Sequence, residues 1–326
     1  MQTSIRAPFP WFGGKGASRI KSAILAALPP HKRYLEPFGG GASILIAKPQ
    51  AEVEVYNDVN RGLVNFFRVI SDVDLFGKFM ARAALLPVSR ELYEEYARTW
   101  PGIHDPVEQA VRWYYLARQS FGGMFGKSWG TSVNQSSSGM SSQTAQWISS
   151  FDNLPRVHQR MQRVQIECCD WRDVLKRFAG PDWLAYCDPP YVLGARKAGG
   201  YQHELRDSDH EELIQTLLRY DGAVVLSGYN SPIYAPLGGR TDACQRLAGC
   251  RQRQSQTAPR RVFVAQPGSL APARCRKIKI KETDKKTSPV DVPGFFVFSR
   301  AYAHVRLHKS DYGVLWDGTQ FYRQFA

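Results

Sequence analysis

Four consecutive residues, Asp188-Pro189-Pro190-Tyr191, place a carboxylate, two imino acids and a phenol ring directly after the apolar run Trp183 to Cys187. A carboxylate and a neighbouring backbone carbonyl can together accept both hydrogens of an exocyclic amine. Two acceptors in that arrangement localise the nitrogen lone pair toward an electrophile. The prolines carry no N–H and stiffen the turn, and the Tyr191 ring offers a surface on which a planar base stacks. Open α/β sheets bind ligands at the carboxyl ends of their strands, and a strand end is where this turn falls. The bland alternative is a plain Pro-Pro turn, so the argument rests on the company the motif keeps.

Two more motifs supply that company. Glu36-Pro37-Phe38-Gly39-Gly40-Gly41 follows the short apolar stretch Tyr34-Leu35. Its glycines allow close backbone approach to a ligand. The spacing is neither GxGxxG nor a P-loop with a following Lys-Ser/Thr, which disfavours a dinucleotide or ATP site. Asp58 stands twenty-two positions after Glu36, suitable for an acidic residue at the end of the second strand that binds ribose hydroxyls. The third motif is Trp11-Phe12-Gly13-Gly14-Lys15; alone it would read as an aromatic plug beside a surface lysine. His104, His158 and His210 are isolated, and none of the six cysteines forms a CxxC pair, so no metal site is expected. Adjacent Cys168 and Cys169 read as packing.

The elements that must position these residues are legible in part. Ala17 to Leu28 spaces Ile20, Ala23, Ile24 and Ala27 on one helical face, stopped by Pro29-Pro30. Ser43 to Ala47 and Arg61 to Ile70 read as helices, with a short strand at Val53 to Val55 between them. Strand, glycine turn, helix, strand and acidic residue make a mononucleotide-binding half in outline. Ala81 to Trp100 and Val107 to Gln119 look helical. The stretch from Phe121 to Trp147, rich in Ser, Gly and aromatics, reads as mobile surface loop. α/β texture returns with strands at Gln165 to Cys169, Trp183 to Cys187 and Ala223 to Leu226, and helices at Trp171 to Phe178 and after Ser208. Ser208 with Glu211 suggests a capping box.

Taken together, Trp11 to Lys15, Glu36 to Gly41, Asn57-Asp58 and Asp188 to Tyr191 resemble the Dam-like DNA (adenine-N6) methyltransferases, in the form carried by phages and prophages. The order also matches: a first cofactor motif, the glycine motif, a recognition insert, then DPPY. The resemblance covers roughly Pro8 to Leu237. It implies an α/β fold, a Rossmann-like S-adenosylmethionine-dependent methyltransferase sheet with a mainly helical target-recognition insert. By analogy, Trp11 and Lys15 help hold S-adenosyl-L-methionine, and Glu36, Pro37, Phe38, Gly39 and Gly41 frame its methionine part. Asp58 would bind the ribose and Asp170, in Cys169-Asp170-Trp171, would touch the adenine ring. Asp188, with the Pro189 carbonyl, Pro190 and Tyr191, forms the catalytic turn and touches the cofactor. The implied reaction transfers a methyl group directly to N6 of adenine in double-stranded DNA after base flipping. In the insert, Arg118 and Lys127 would contact phosphate and Phe125 would stack beside the flipped base.

The expected organisation is a cofactor-binding part over 1–72, a helical and loop recognition insert over 73–151, the DPPY-bearing part over 152–239, and an atypical basic segment over 240–326. That last segment reads as a shifted reading frame or a disordered extension, because residues 240–288 hold 13 Lys+Arg against 3 Asp+Glu with little periodicity. It also carries most of the net charge of +14, so bulk basicity is poor support for DNA binding. Two competing readings stay open. One is a catalytically impaired DNA-binding remnant; the other is an amine or amide methyltransferase acting on RNA or protein, served by related NPPY motifs. No apolar run approaches membrane-spanning length and no leader is seen. A cytoplasmic monomer in a bacterial cell or phage-infected host is therefore expected.

Overall fold

The computed structural model describes residues 5–15, 18–131, 134–192, 203–229, 231–237, 260–265, 294–298, 314–316 and 321–323. The N-terminal part comprises α1 (Ser18–Ala27), β1 (Arg33–Glu36), α2 (Ser43–Ala47), β2 (Val53–Asn57) and α3 (Arg61–Ser71). Next come α4 (Val73–Ala83), α5 (Arg90–Thr99), α6 (Pro106–Gln119), a small hairpin of β3 (Ser136–Ser137) and β4 (Met140–Ser141), α7 (Ser142–Ser150) and α8 (Leu154–Met161). The sheet then resumes through β5 (Gln165–Glu167), α9 (Trp171–Arg177), β6 (Trp183–Cys187), α10 (Asp207–Arg219) and β7 (Ala223–Tyr229).

The central sheet has five parallel strands in the order β5-β2-β1-β6-β7. The chain moves outward from β1 to β2 on one side, then returns to place β6 on the other. A crevice therefore opens where the carboxyl ends of β1 and β6 diverge, the topological switch point at which such sheets bind ligands. Both strands end in a motif found from the sequence: β1 runs into Glu36-Pro37 and β6 into Asp188-Pro189.

Alternation along the strands builds two cores. Tyr34, Tyr56, Leu184, Tyr186 and Val225 face α3, α6 and α8. Leu35, Val55, Ala185, Cys187, Val224 and Leu226 face α9 and α10. All these side chains are buried, each worth roughly 1.5–3 kcal/mol of apolar transfer for the large ones. The first core extends without a break into the insert: the Phe66 ring on α3 stacks on Tyr114 of α6, centroids 5.2 Å apart and 4° between planes. Phe79, Trp113 and Trp147 belong to the same cluster. The helices between residues 73 and 151 thus share their core with the N-terminal part.

Local sequence differs from expectation in three places. The helix expected over Ala81 to Trp100 is two helices, because Pro87 cannot continue the first and Ser89 caps the second by accepting from Leu92 N–H. The cap of α10 is Asp209 accepting from the Arg206 N–H at 2.9 Å, two residues earlier than the Ser208–Glu211 pairing. The stretch expected as a mobile loop from Phe121 to Trp147 contains a single-turn helix at Phe121–Gly123, the β3–β4 hairpin and most of α7. Its Trp147 is buried, and the indole donates to the Leu86 carbonyl at 2.8 Å.

Of the basic segment, the described residues are the backbones of β8 (Arg260–Ala265), β9 (Gly294–Phe298), β10 (Val314–Trp316) and β11 (Phe321–Arg323). β8 and β9 pair antiparallel with β7, and β10 with β11. The expectation of a shifted frame or disorder across 240–326 otherwise falls outside the described residues.

Candidate active site

The crevice at the switch point is a cavity of about 340 Å³, within the range of roughly 300–1,000 Å³ common for small-molecule sites. It is lined by Trp11 and Lys15, by Glu36, Pro37, Phe38, Gly39 and Gly41, and by Asp58, Asp170, Asp188 and Pro190. Lys15 and Asp188, 173 positions apart, therefore share one site. Pro189 and Tyr191 are buried and lie outside this lining.

Lys15 and Asp188 form the site's central contact. The Lys15 ammonium, 3% exposed, pairs with Asp188 Oδ2, donates to the Gly13 carbonyl at 2.9 Å, and sits 5.0 Å from the centroid of the Tyr191 ring. Asp188 Oδ1 is buried and has no hydrogen-bond partner among the described residues. One oxygen of the carboxylate is thus anchored while the other keeps its acceptor capacity. A buried acceptor left unpaired costs about 1–3 kcal/mol, so this atom fits a donor arriving from a ligand.

The strand ends are held together by Asn57, the last residue of β2. Its amide donates to the carbonyls of Pro37 (2.9 Å) and Cys169 (3.0 Å) and accepts from the Cys169 N–H at 3.0 Å. Asp58 then turns back on the glycine loop. Its two oxygens accept from Gly40 N–H at 2.9 Å and Asn60 N–H at 2.8 Å. Each carboxylate oxygen retains a further lone pair for hydroxyl donors. Burial pushes the Asp58 carboxyl up, opposed by these backbone donors. Gly39 has no room for a side chain: a Cβ there would run into the Tyr56 ring. Gly40 adopts φ +46°, and Trp11 lies 3.1 Å from where its Cβ would stand, so the loop's backbone is bare on the cavity side.

Glu36 is fully enclosed. Its Oε1 accepts from the Tyr34 hydroxyl (2.7 Å) and the Leu45 N–H (2.8 Å). Burial nevertheless pushes the carboxyl from 4.5 up to about 8, so it folds in the neutral form at neutral pH. A carboxyl raised in this way stabilises the fold fully below its unfolded value. That contribution is lost as pH rises through the folded value. Glu36→Gln keeps an acceptor for both donors and is expected to flatten the fall in unfolding free energy between about pH 5 and pH 8. Urea melts of the ligand-free protein across that range check it; a slope equal to wild type would contradict this assignment.

The far wall combines α9 with α10. Asp170 caps α9 through Arg172 N–H at 2.9 Å. The Arg172 guanidinium lies 4.4 Å over the Trp171 ring and reaches Asp209 at 2.9 Å and Glu212 at 2.5 Å. Its hydrogen bonds to the Glu212 carboxylate lead the causes that raise the Arg172 guanidinium above its ordinary value. Phe38 and Trp171, with ring centroids 6.2 Å apart, supply the aromatic surface of this wall. The sequence placed Asn57 beside Asp58 and Trp171 beside Asp170 without giving either a role of its own, and it gave no sign of Arg172. Asn57 was visible beside Asp58 at a strand end; Arg172 had no signal, because its acidic partners lie some forty positions away.

The three insert residues are dispersed. Lys127 is exposed on the surface. Arg118 is half-buried near the end of α6 and donates to the Gln146 carbonyl at 2.9 Å. Phe125 packs inward, its ring 5.1 Å from Trp113 and 6.4 Å from Trp11, where it supports the cavity from behind. The exposed aromatic of this stretch is Phe121, 62% accessible, beside Gly122 at φ +62°.

Residues 11–234 match the family model of the D12 class N6 adenine-specific DNA methyltransferase, more than half of the chain. The chain belongs to this family. A D12-class assignment accounts for the coincidence of cavity and motifs, since the match begins at Trp11 and spans every lining residue. Relatives agree in kind. The chain is 28% identical to the DNA adenine methylase of Haemophilus influenzae over 189 residues, covering 56% of this chain and 62% of the relative. It is 24% identical to the DNA N-6-adenine-methyltransferase of Escherichia phage P1 over 272 residues, covering 76% of this chain and 33% of the relative. It is also 24% identical to the type II methyltransferase M.MjaIII of Methanocaldococcus jannaschii over 208 residues. The chain spans less than two thirds of the length of the first two of these relatives. Among the described residues, no helix is long and apolar enough to cross a membrane.

Proposed function

We propose that the protein is a site-specific DNA methyltransferase that uses S-adenosyl-L-methionine to methylate the exocyclic N6 of adenine in duplex DNA. The observation that carries this reading is the divided Asp188 carboxylate: Oδ2 tied to Lys15 and Oδ1 buried without a described partner in a cavity lined by the three motifs. The cofactor supplies an electrophilic sulfonium methyl group. Phe38, Trp171 and Asp170 suit its adenine, Asp58 its ribose hydroxyls, and the bare Gly39–Gly41 backbone, Trp11 and Lys15 its methionine part.

The chain's own contribution to transfer is positioning and electrostatics. Asp188 Oδ1 and the Pro189 carbonyl each accept one hydrogen of the target amine, which directs the nitrogen lone pair into the cavity. Tyr191 backs the flipped base, and Lys15 fixes the carboxylate against rotation. No side chain forms a bond to the base. The target base leaves the duplex to reach this depth. The parts are a cofactor-binding portion over 1–72, a recognition insert over 73–151 and the catalytic turn within 152–239, in a cytoplasmic setting.

Incubation with methyl-labelled cofactor and equimolar duplex DNA, RNA and protein acceptors tests the reading. Label on duplex DNA alone is expected; label on RNA or protein and none on DNA would favour an amine or amide methyltransferase instead. Lys127, exposed on the insert, is proposed to meet a backbone phosphate. Lys127→Ala is expected to weaken duplex binding and lower the slope of log affinity against log salt by about 0.9. An unchanged slope in an anisotropy titration would remove Lys127 from the interface.

A further inference from the structure

A second cavity, of about 280 Å³, lies between the extended segment Arg6–Pro10, Lys21 on α1, Arg118 on α6 and the end of α7. Three of its lining residues are cations, and none of the lining residues is acidic. No salt bridge pairs Arg6, Lys21 or Arg118 with a carboxylate among the described residues. Arg118 is the informative member. Its terminal nitrogen donates to the Gln146 carbonyl, while its Nε is buried with no partner among the described residues. A half-buried guanidinium beside like charge, with its buried Nε unanswered, is costly unless an anion completes it. Burial lowers the Arg118 guanidinium, and the nearby positive charge of Arg6 lowers it further, against Tyr114.

The cavity is anchored. The Asn153 amide donates to the Arg6 carbonyl at 2.7 Å and holds the extended segment against the start of α8. It also adjoins the active site, since Ser43 lines both cavities. Arg118 lies on the last turn of the helix that leads into Phe121 and its glycines. Three cations around one small cavity match a phosphate, whose oxygens accept from several donors at once.

We propose that this second cavity seats one backbone phosphate of the DNA substrate next to the target base. The proposal rests on the reading of the protein as a DNA methyltransferase and adds to it a fixed point that holds the duplex in register while the base turns into the catalytic cavity. A phosphate on this seat answers the unpaired Arg118 Nε and offsets the mutual repulsion of Arg6 and Arg118.

Because three cations share one phosphate, the seat has a signature distinct from three separate surface contacts. Each neutralised phosphate contributes about 0.9 to the slope of log affinity against log salt. In anisotropy titrations of a duplex from about 50 to about 200 mM NaCl, Lys21→Gln and Arg118→Gln each leave two cations on the seat and are expected to weaken binding with little change of slope, whereas the double variant, left with the exposed Arg6 alone, is expected to lose that single increment. Lys21 makes no ion pair among the described residues, so its variant keeps the test independent of folding. Duplex affinities equal to wild type in both single variants, with wild type binding the duplex, overturn the seat alone. A double variant that loses two increments overturns the shared phosphate. A free anion would give thermal stabilisation by inorganic phosphate that the double variant loses, with the DNA slope unchanged; that result overturns the DNA assignment. A wild-type protein that does not bind duplex DNA overturns the methyltransferase reading and the seat together.

Discussion

Asp188→Ala is expected to bring methyl transfer down by at least about 10²–10³-fold, the loss typical of removing one preorganised electrostatic partner of a reacting group. The target amine would lose the acceptor that directs its lone pair, and Lys15 would lose the carboxylate that holds it. Lys15 keeps the Gly13 carbonyl at 2.9 Å, and the rest of the cavity wall does not involve Asp188. Cofactor affinity, read by calorimetry, should therefore remain measurable in the variant. Single-turnover assays with saturating cofactor separate the two effects. Full activity would remove Asp188 from the reaction, whereas loss of cofactor binding alone would move its role to the cofactor.

The second large effect is on stability. Glu54, on β2, is buried with Lys48 and Arg160; all three side chains are at most 3% exposed. Lys48 reaches Glu54 Oε1 at 2.6 Å, and Arg160 of α8 bonds both carboxylate oxygens. Arg160 also donates to the Leu45 carbonyl at 2.7 Å, and Leu45 in turn donates to Glu36. Burial would raise the Glu54 carboxyl, but hydrogen bonds from Arg160 and Lys48 outweigh it and hold it below the ordinary value. Glu54→Ala leaves two buried cations without their carboxylate, a change that costs about 3–5 kcal/mol. Against a total stability of about 5–15 kcal/mol, much of the fold's margin would go. The expected result is a large drop in the urea midpoint, with the glycine loop and α2 loosened first. A midpoint close to wild type would show that the network contributes little.

How much of this was legible in the sequence depended on the range of the interaction. Asp188, Asp58 and the Gly39–Gly41 turn could be placed because each sits at a strand end, and strand periodicity is a local property. The stretch around Pro87 is two helices rather than one, and the cap of α10 falls two residues early, because a proline break and a local cap compete with periodicity over three or four residues. Phe125 was read as a base-contacting aromatic, yet it stacks on Trp113. An aromatic in a Ser- and Gly-rich stretch carries no local sign of whether the core reaches it. The Glu54–Lys48–Arg160 network and the Asp170–Arg172–Asp209 wall were invisible for the same reason: their members meet only after α8 and α10 have docked.

The central claim is that the divided carboxylate serves adenine in DNA. The most direct test expresses the protein in a methylation-deficient bacterial host, digests the genomic DNA to nucleosides and separates them by chromatography. The account predicts a peak of N6-methyladenine in wild-type cells that is absent with Asp188→Ala. DNA without that nucleoside, from cells in which the folded protein accumulates, would contradict it.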